Sequence, residues 1–197
     1  VVTAVIAILT IAFLTLFMLL EGPAWVERIY GIVPARHETR ARRIGAEVYR
    51  AIGGYVAGNL AISLIAGTAT AIVLSILGVP FAFALALVVA LLDLVPLAGA
   101  TIAAVVVTTV AFLDSTTSGI VVLIFFVIYQ QFENHVLQPV VYGKTVRLSP
   151  LAVLVAVLIG AELAGVVGAL GAIPAAAAIQ VVLRELLGRN EPVAQAT

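Results

Sequence analysis

Long runs of apolar residues with very few charges constrain this chain more than any other feature. Of its 197 residues, 63% are hydrophobic and only 10% are charged, whereas about 25% are charged in an ordinary soluble domain. A helix needs roughly 20 apolar residues to cross the hydrocarbon core of a bilayer. The composition therefore predicts an all-α membrane protein, a multi-spanning helical bundle whose first partner is the lipid bilayer.

Several classes of function conflict with this composition. The formal net charge is zero and cysteine is absent. A neutral chain without a strongly basic segment argues against nucleic-acid binding, and the lack of cysteine removes disulfides and thiolate metal sites. There is no HExxH, GxSxG or paired-aspartate signature. We therefore expect no enzyme activity, no cofactor and no metal centre.

The first quarter of the chain changes character abruptly. Residues 1–20 carry no charge and are predicted to form a transmembrane helix, whereas residues 21–51 contain six arginines and four glutamates. Pro23 and Pro34 are placed to begin two short helices, and the second is amphipathic, as expected at a membrane surface. The arginines place this linker in the cytoplasm. Because the chain starts within an apolar run, we interpret it as the C-terminal part of a longer protein.

Residues 52–187 are predicted to form the membrane transport domain, followed by a cytoplasmic tail over 188–197. Two regular spans are expected at 52–77 and 119–136. The first is rich in small residues that allow helices to pack closely.

Residues 81–113 are interrupted by DLVPLAG. As one helix they would be about 50 Å long, too long for a hydrocarbon core of about 30 Å. The segment either crosses once with a kink or forms a re-entrant hairpin of two half-helices, 81–93 and 99–113. We favour the hairpin because it puts Lys144 and Arg147 in the cytoplasm, as the positive-inside rule requires.

Residues 149–187 have the same character, with GAELAGVVGALG as the break. Arg184 and Arg189 favour the cytoplasm for the far end, which predicts a second re-entrant hairpin entering from the opposite side. Asp93 and Glu162 would lie at the two hairpin tips. Paired broken helices point to the binding site of a transporter.

Polar residues within the apolar runs are the candidate functional groups, because a carboxylate at bilayer depth costs roughly 2.5–3.5 kcal/mol. Asp93 precedes Pro96, which lacks an N–H and frees a carbonyl one turn back. The carboxylate and carbonyls could bind a cation, or Asp93 could exchange protons. The alternative is that Asp93 caps the second half-helix near Leu97.

Glu133 and Asn134 lie at the end of the 119–136 span. Tyr129 and Glu133 share one face, and Gln130 and Asn134 share its neighbour, as expected for a gate or a substrate contact. Alternatively, Glu133 holds the following loop or pairs with Lys144 or Arg147. The candidates for the substrate or ion path are Asp93, Glu133, Asn134, Gln130, Glu162 and Asn59.

Each remaining candidate has a structural alternative. Asn59 could hydrogen-bond a neighbouring helix, and Glu162 could lie on a solvated tip. The candidate hinge or tip residues are Pro96, Gly99, Gly160, Gly165 and Gly168. The three glycines of the second hairpin could equally serve close packing.

Several motifs resemble one family. YQQFENHVLQPVVYGKTVRLSPL at 129–151 and GAELAGVVGALGAIPAAA beginning at Gly160 resemble the signature of the autoinducer-2 exporter family of bacterial membrane proteins. DLVPLAGA at 93–100 and YVAGNLAIS at 55–63 are similar to its weaker motifs. The resemblance implies a multi-pass protein of the bacterial inner membrane. It also implies a homo-oligomer, with a pentamer as the expected assembly.

The leading hypothesis is a secondary transporter subunit that exports a small hydrophilic organic molecule such as autoinducer-2. One alternative is a sodium (cation)–proton antiporter in which Asp93 or Glu162 exchanges ions. A further alternative is a non-transporting membrane scaffold whose polar residues only bridge helices.

Overall fold

The computed structural model describes residues 2–142 and 148–187, and every regular element in these ranges is helical. The elements are α1 (Val2–Ile32), α2 (Ala35–Leu77), α3 (Ala82–Asp93), α4 (Gly99–Asp114), α5 (Thr116–Phe132), a π-helical turn (Glu133–Leu137), α6 (Gln138–Tyr142) and α7 (Pro150–Leu186). The prediction of an all-α protein is confirmed. The tail over 188–197 and the cations Lys144, Arg147 and Arg189 lie outside the described residues.

Four helices within the described ranges are long and apolar enough to cross a membrane: Leu9–Ile32, Ala35–Leu77, Thr116–Val141 and Pro150–Glu185. The helices α3 and α4 are apolar but shorter. Large apolar side chains such as Leu64, Leu113 and Val140 are exposed, as expected for surfaces that face hydrocarbon. The protein is a multi-pass membrane protein.

The chain divides into two compact units, Val1–Glu47 and Val48–Thr197. In the first unit, Arg42 of α2 donates two hydrogen bonds of 2.8 Å to the carboxylate of Glu27 in α1. It donates a third, of 3.0 Å, to Glu38. Its guanidinium also stacks 4.7 Å from the centre of the Tyr30 ring. One arginine therefore joins α1 to the start of α2.

Two predicted helix boundaries in this region differ from the structure. Pro23 does not begin a helix but lies inside α1, where a long helix accommodates one internal proline at a cost of about 3 kcal/mol. The amphipathic helix and the 52–77 span are one helix of 43 residues, α2. No proline interrupts them, and Gly53 weakens a helix without ending it. By contrast, α2 does begin directly after Pro34, as predicted.

The DLVPLAG segment turns the chain back on itself, so that α3 and α4 pack side by side. Gly99 begins α4 against the end of α3, where a Cβ atom would collide with the carbonyl oxygen of Leu92. The Val95 N–H donates to that oxygen over 2.9 Å. The half-helices match the predicted ones closely. The depth of this hairpin in the membrane stays a prediction.

The last helix, α7, also reverses. Ala164 and Gly165 have non-helical backbone angles, with φ of +59° and ψ of −139° at Gly165. Across the turn, Gly160 and Gly168 are in backbone contact, and a Cβ atom on either would collide with the other's carbonyl oxygen. Residues 150–163 and 166–186 therefore form two antiparallel halves, and the predicted break is located at residues 164–165.

Two apolar clusters hold the second unit together. The larger joins α2, α3, α4 and α5 around Leu74, Val107 and Val122, whose side chains are fully buried. The smaller joins both halves of α7 to Tyr55 of α2 through Val157 and Ile173. These clusters place the turn between α3 and α4, the π-helical turn and the first part of α7 around a common space.

Candidate functional site

A cavity of about 670 Å³ lies in the second unit. Five of the six predicted path residues line it, namely Asn59, Asp93, Gln130, Glu133 and Asn134. They come from α2, the end of α3, and the junction of α5 with the π-helical turn, so the fold brings together polar groups that are far apart in sequence. Glu162 is the exception, since it is exposed near the turn of α7 and does not line this cavity.

The turn between α3 and α4 forms one wall. Asn59 of α2 donates a side-chain hydrogen bond of 3.1 Å to the carbonyl oxygen of Leu94, which fixes the broken backbone. Pro96 and Leu97 also line the cavity. Leu97 has a φ of +67°, a left-handed conformation that costs a side-chain-bearing residue on the order of 1–3 kcal/mol. The first turn of α4 carries no side-chain cap, so the capping role considered for Asp93 is not seen there.

The π-helical turn forms another part of the wall, and Pro139 gives a physical reason for this irregular turn. Proline has no N–H, and in a regular α-helix its ring clashes with the carbonyl four residues earlier, here that of His135. The preceding turn is widened, and the backbone N–H of Gln138 donates to the carbonyl of Glu133, five residues back. Such π-bulges are frequent at functional sites.

The widened turn lets one side chain hold two others. The Nε2 atom of Gln138 donates to Oε1 of Glu133 over 3.1 Å and to Oδ1 of Asn134 over 3.2 Å. Glu133 is thereby fixed on one side, and the residue as a whole is only 6% exposed. Its other oxygen, Oε2, is buried and has no hydrogen-bond partner.

Two further buried oxygens lie near Asp93. The hydroxyls of Ser63 and Tyr129 belong to side chains that are 3% and 9% exposed, and neither has a hydrogen-bond partner. The Ser63 hydroxyl lies beside the Asp93 carboxylate without completing a well-formed hydrogen bond. Asp93, Glu133 and the Tyr129 hydroxyl are within electrostatic reach of one another.

All charged side chains in the described lining of this cavity are acidic. Its described lining contains two carboxylates and four amide side chains but no lysine, arginine or histidine. The proposed pairing of Glu133 with Lys144 or Arg147 falls outside the described residues. Among the residues the structure covers, no three His, Cys, Asp or Glu side chains cluster as a metal site would require.

A family model described as "AI-2E family transporter" matches residues 1–188 of the chain. The protein belongs to the AI-2E family. This family membership bears out the resemblance seen in the DLVPLAGA and ENHVLQP motifs, which here supply the two polar walls of the cavity.

Curated relatives of this AI-2E protein share the name "Putative transport protein". YueF of Bacillus subtilis (strain 168) is 29% identical over 89% of this chain and 47% of its own length. MT0215 of Mycobacterium tuberculosis (strain CDC 1551 / Oshkosh) is 34% identical over 94% of this chain and 51% of its own. Protein sll0060 of Synechocystis sp. (strain ATCC 27184 / PCC 6803 / Kazusa) is 28% identical over 88% and 49%. The chain thus spans about half the length of the curated relatives it matches.

Sequence reasoning missed Gln138 and Tyr55, which line the cavity of this AI-2E protein. A signal for Gln138 was present, because it follows Asn134 by four residues and immediately precedes Pro139. Tyr55 carried no such signal, since an aromatic residue in an apolar helix is ordinarily part of the core. The remaining tip residues divide by position: Pro96 lines the cavity, while Gly160, Gly165 and Gly168 shape the turn of α7.

Proposed function

We propose that this chain forms the transport domain of a secondary transporter that moves a small hydrophilic organic molecule across the membrane. The observation that carries the proposal is the cavity of about 670 Å³ with polar walls inside an otherwise apolar helical unit. Polar and ionisable residues at such positions are expensive and typically mark a substrate or ion pathway. A scaffold would gain nothing from a wall that leaves the buried Oε2 atom of Glu133 without a partner.

The architecture supports alternating access. The cavity walls include the turn of the α3–α4 hairpin, the π-helical turn, and residues from both halves of α7. Irregular backbone at membrane depth is tolerated where protein or a water-filled cavity covers it. A shift of either hairpin against α2 and α5 would change which side of the cavity is open. Because one chain supplies the described lining, each subunit of a homo-oligomer would have its own path.

The cavity is suited to a molecule rich in hydroxyl groups. Binding pockets for small molecules usually have about 300–1,000 Å³. The side chains of Asn59, Gln130, Asn134 and Gln138 offer both hydrogen-bond donors and acceptors, while Leu148, Val153 and Ile173 supply an apolar side. Autoinducer-2 is the first substrate to test, because the family description refers to it, and export is the direction that we propose.

Cation–proton exchange is the second candidate function. It is favoured by one observation, namely the two carboxylates without a cationic side chain in the described lining. In this alternative the organic molecule is not required, and an imposed sodium gradient alone would drive proton movement.

The test is flux in proteoliposomes that contain the full-length protein. Autoinducer-2, Na⁺ and H⁺ are assayed separately, with and without pH or sodium gradients. Asp93→Asn and Glu133→Gln should strongly lower flux, because ionisable residues within membrane segments typically mark the substrate or ion pathway. Glu162→Gln is the matched control and should keep wild-type flux. If Asp93→Asn transports normally at equal reconstituted protein, the role of Asp93 is refuted.

A polar contact with the substrate is tested without changing charge. Gln130→Ala and Asn134→Ala remove amides from the cavity, whereas Gln131→Ala removes an exposed amide from the same helix that does not line it. The first two should raise the substrate concentration needed for half-maximal flux, and the third should not. No flux of any of the three solutes would favour the scaffold alternative.

A further inference from the structure

The end of α1 extends past the charge-free part of this helix. α1 has 31 residues and is therefore about 46 Å long, whereas the hydrocarbon core of a bilayer is about 30 Å thick. The first charged residue of the chain is Glu21, and residues 2–20 account for about 28 Å of the helix. The segment from Glu21 to Ile32 is therefore expected to reach the layer of lipid headgroups.

This end of α1 has two faces of different composition. One face contacts the start of α2, because Glu27 and Tyr30 both contact Arg42. The opposite face, called the outer face below, carries residues at spacings of three, four and seven, which lie on one side of a helix: Trp25, Arg28, Ile29 and Ile32. Its three apolar side chains are 55%, 59% and 84% exposed in chain order. The outer face is therefore apolar and uncovered, with one arginine within it.

Two polar contacts orient the Trp25 ring on the outer face. Its Nε1–H group donates to a carboxylate oxygen of Glu21 over 3.3 Å, and the guanidinium carbon of Arg28 lies 5.2 Å from the ring centre. Tryptophan is enriched at membrane–water interfaces, where its ring lies at headgroup level. An arginine stem covers apolar surface while its charge stays in the polar layer. The pair of Trp25 and Arg28 therefore has the composition of an anchor at headgroup level.

The charges around the outer face favour an anionic lipid. Residues 21–51 contain six arginines and four glutamates, which leaves a net charge of +2. Glu27 is the acid closest to Arg28 in sequence, but its carboxylate accepts two hydrogen bonds of 2.8 Å from Arg42 on the opposite side of the helix. A guanidinium donates paired N–H groups to phosphate oxygens, and basic segments are attracted to the anionic cytoplasmic leaflet.

We propose that the outer face docks on the headgroup layer of the cytoplasmic leaflet, where Arg28 binds the phosphate of an anionic phospholipid such as phosphatidylglycerol. Trp25 contacts the same lipid below its phosphate, and Ile29 and Ile32 are removed from water against neighbouring lipids. Pro23 separates the charge-free segment from this face, and helices bend most often at proline. The inference does not depend on the transport function, because the outer face belongs to the first unit and the cavity to the second.

Fluorescence of Trp25 tests the proposal, because Trp25 is the only tryptophan of this chain. In the full-length protein its signal is obtained as the difference between the wild type and Trp25→Phe. The protein in mild detergent is titrated with phosphatidylglycerol or phosphatidylcholine that carries the same brominated acyl chains, which quench tryptophan on contact. Phosphatidylglycerol should quench the Trp25 signal at a severalfold lower concentration. Equal quenching by the two lipids, or quenching by neither, would overturn the proposal.

Charge variants locate the phosphate. Arg28→Gln should reduce the preference for phosphatidylglycerol about fivefold, because one basic residue near an anionic surface contributes a factor of about this size. Arg28→Lys should keep most of the preference, and Glu21→Gln should increase it by removing a negative charge from the same side of α1. Arg184→Gln removes an exposed arginine of α7 and is the control, with no expected effect. An unchanged preference in Arg28→Gln would refute the binding role of Arg28. The comparison of two lipids on the wild type needs no charge variant to fold.

Two further measurements distinguish the lipid from other occupants of the outer face. Inorganic phosphate at equal concentration should not displace brominated phosphatidylglycerol, because it has no acyl chain to contact Trp25. Displacement would reassign Arg28 to free phosphate and contradict the lipid site. Ile29→Cys on a cysteine-free background should form no disulfide between two copies in a bilayer that contains phosphatidylglycerol. Efficient disulfide formation would assign the outer face to a second copy of the chain.

Discussion

The backbone contact between Gly160 and Gly168 gives the sharpest test of the α7 hairpin. A Cβ atom at Gly160 would lie 2.9 Å from the carbonyl carbon of Gly168 and closer still to its oxygen. Both are backbone atoms and cannot rotate away, so Gly160→Ala must push the two halves of α7 apart. The same substitution at Gly171 meets nothing within 4 Å, although it lies in the same helix.

Comparing Gly160→Ala with Gly171→Ala isolates the effect of the tight contact on the free energy of unfolding. Replacing glycine by alanine inside a helix gains up to about 1 kcal/mol of helix propensity, and this gain is common to both variants. Overpacking a tight contact costs about 1–3 kcal/mol. The difference between the two variants should therefore be about 1–3 kcal/mol, with Gly160→Ala the less stable and Gly171→Ala equal to or more stable than the wild type.

Thermal unfolding of the full-length protein in one detergent measures this difference. For chains of about 150–250 residues, 1 kcal/mol corresponds to roughly 2–4 °C. Gly168→Ala should behave like Gly160→Ala, and the double variant should lose less than the sum of both, because one separation relieves both overlaps. Equal unfolding temperatures for Gly160→Ala and Gly171→Ala would refute the reversal of α7 at residues 164–165.

Two further predictions concern the irregular turns at Leu97 and Pro139, and a third concerns the membrane topology. Leu97→Gly should be no less stable than the wild type because it relieves a left-handed conformation, whereas Leu113→Gly, at an exposed helical position, should lose about 1 kcal/mol; melting curves compare the two. Pro139→Ala should restore a regular α-turn and keep or raise the unfolding temperature, yet lower substrate flux, because Gln138 no longer reaches Glu133; unchanged flux would contradict this role. Thr116→Cys on a cysteine-free background should react with a membrane-impermeant thiol reagent only from outside the cell, and labelling from the cytoplasm alone would refute the predicted topology.

The sequence predicted most of the local structure because local signals determine it. Pro34 marked the start of α2, and DLVPLAG and the glycine-rich segment marked the two breaks. The boundary at Pro23 was wrong because a long helix can also accommodate one internal proline, at a cost of about 3 kcal/mol, so a proline alone does not locate a helix start. The junction near Gly53 failed for a related reason, since composition changes there but the backbone has no cause to break.

The candidate site was predictable residue by residue but not as an assembly. Asp93 and Glu133 stand out because each is a carboxylate beside an apolar run. Whether these two carboxylates lie close together, however, depends on how α3 packs against α4 and how α5 packs beside them. No short motif encodes this packing. Glu162 carried the same signal and lies elsewhere. Tyr129 was expected on one face with Glu133, whereas Ser63 looks like an ordinary helix residue until the structure places its hydroxyl beside Asp93.

Several positions where local rules fail lie at the cavity. Leu97 adopts a conformation that favours glycine, the turn before Pro139 is π-helical, and the buried Oε2 atom of Glu133 lacks a partner. A stable scaffold would be expected to lack such features, because each raises the free energy of the folded state without improving packing. Conflicts between local preference and observed structure are expected at functional sites. Their coincidence at one cavity is therefore a stronger argument for ligand binding than any of these residues considered alone.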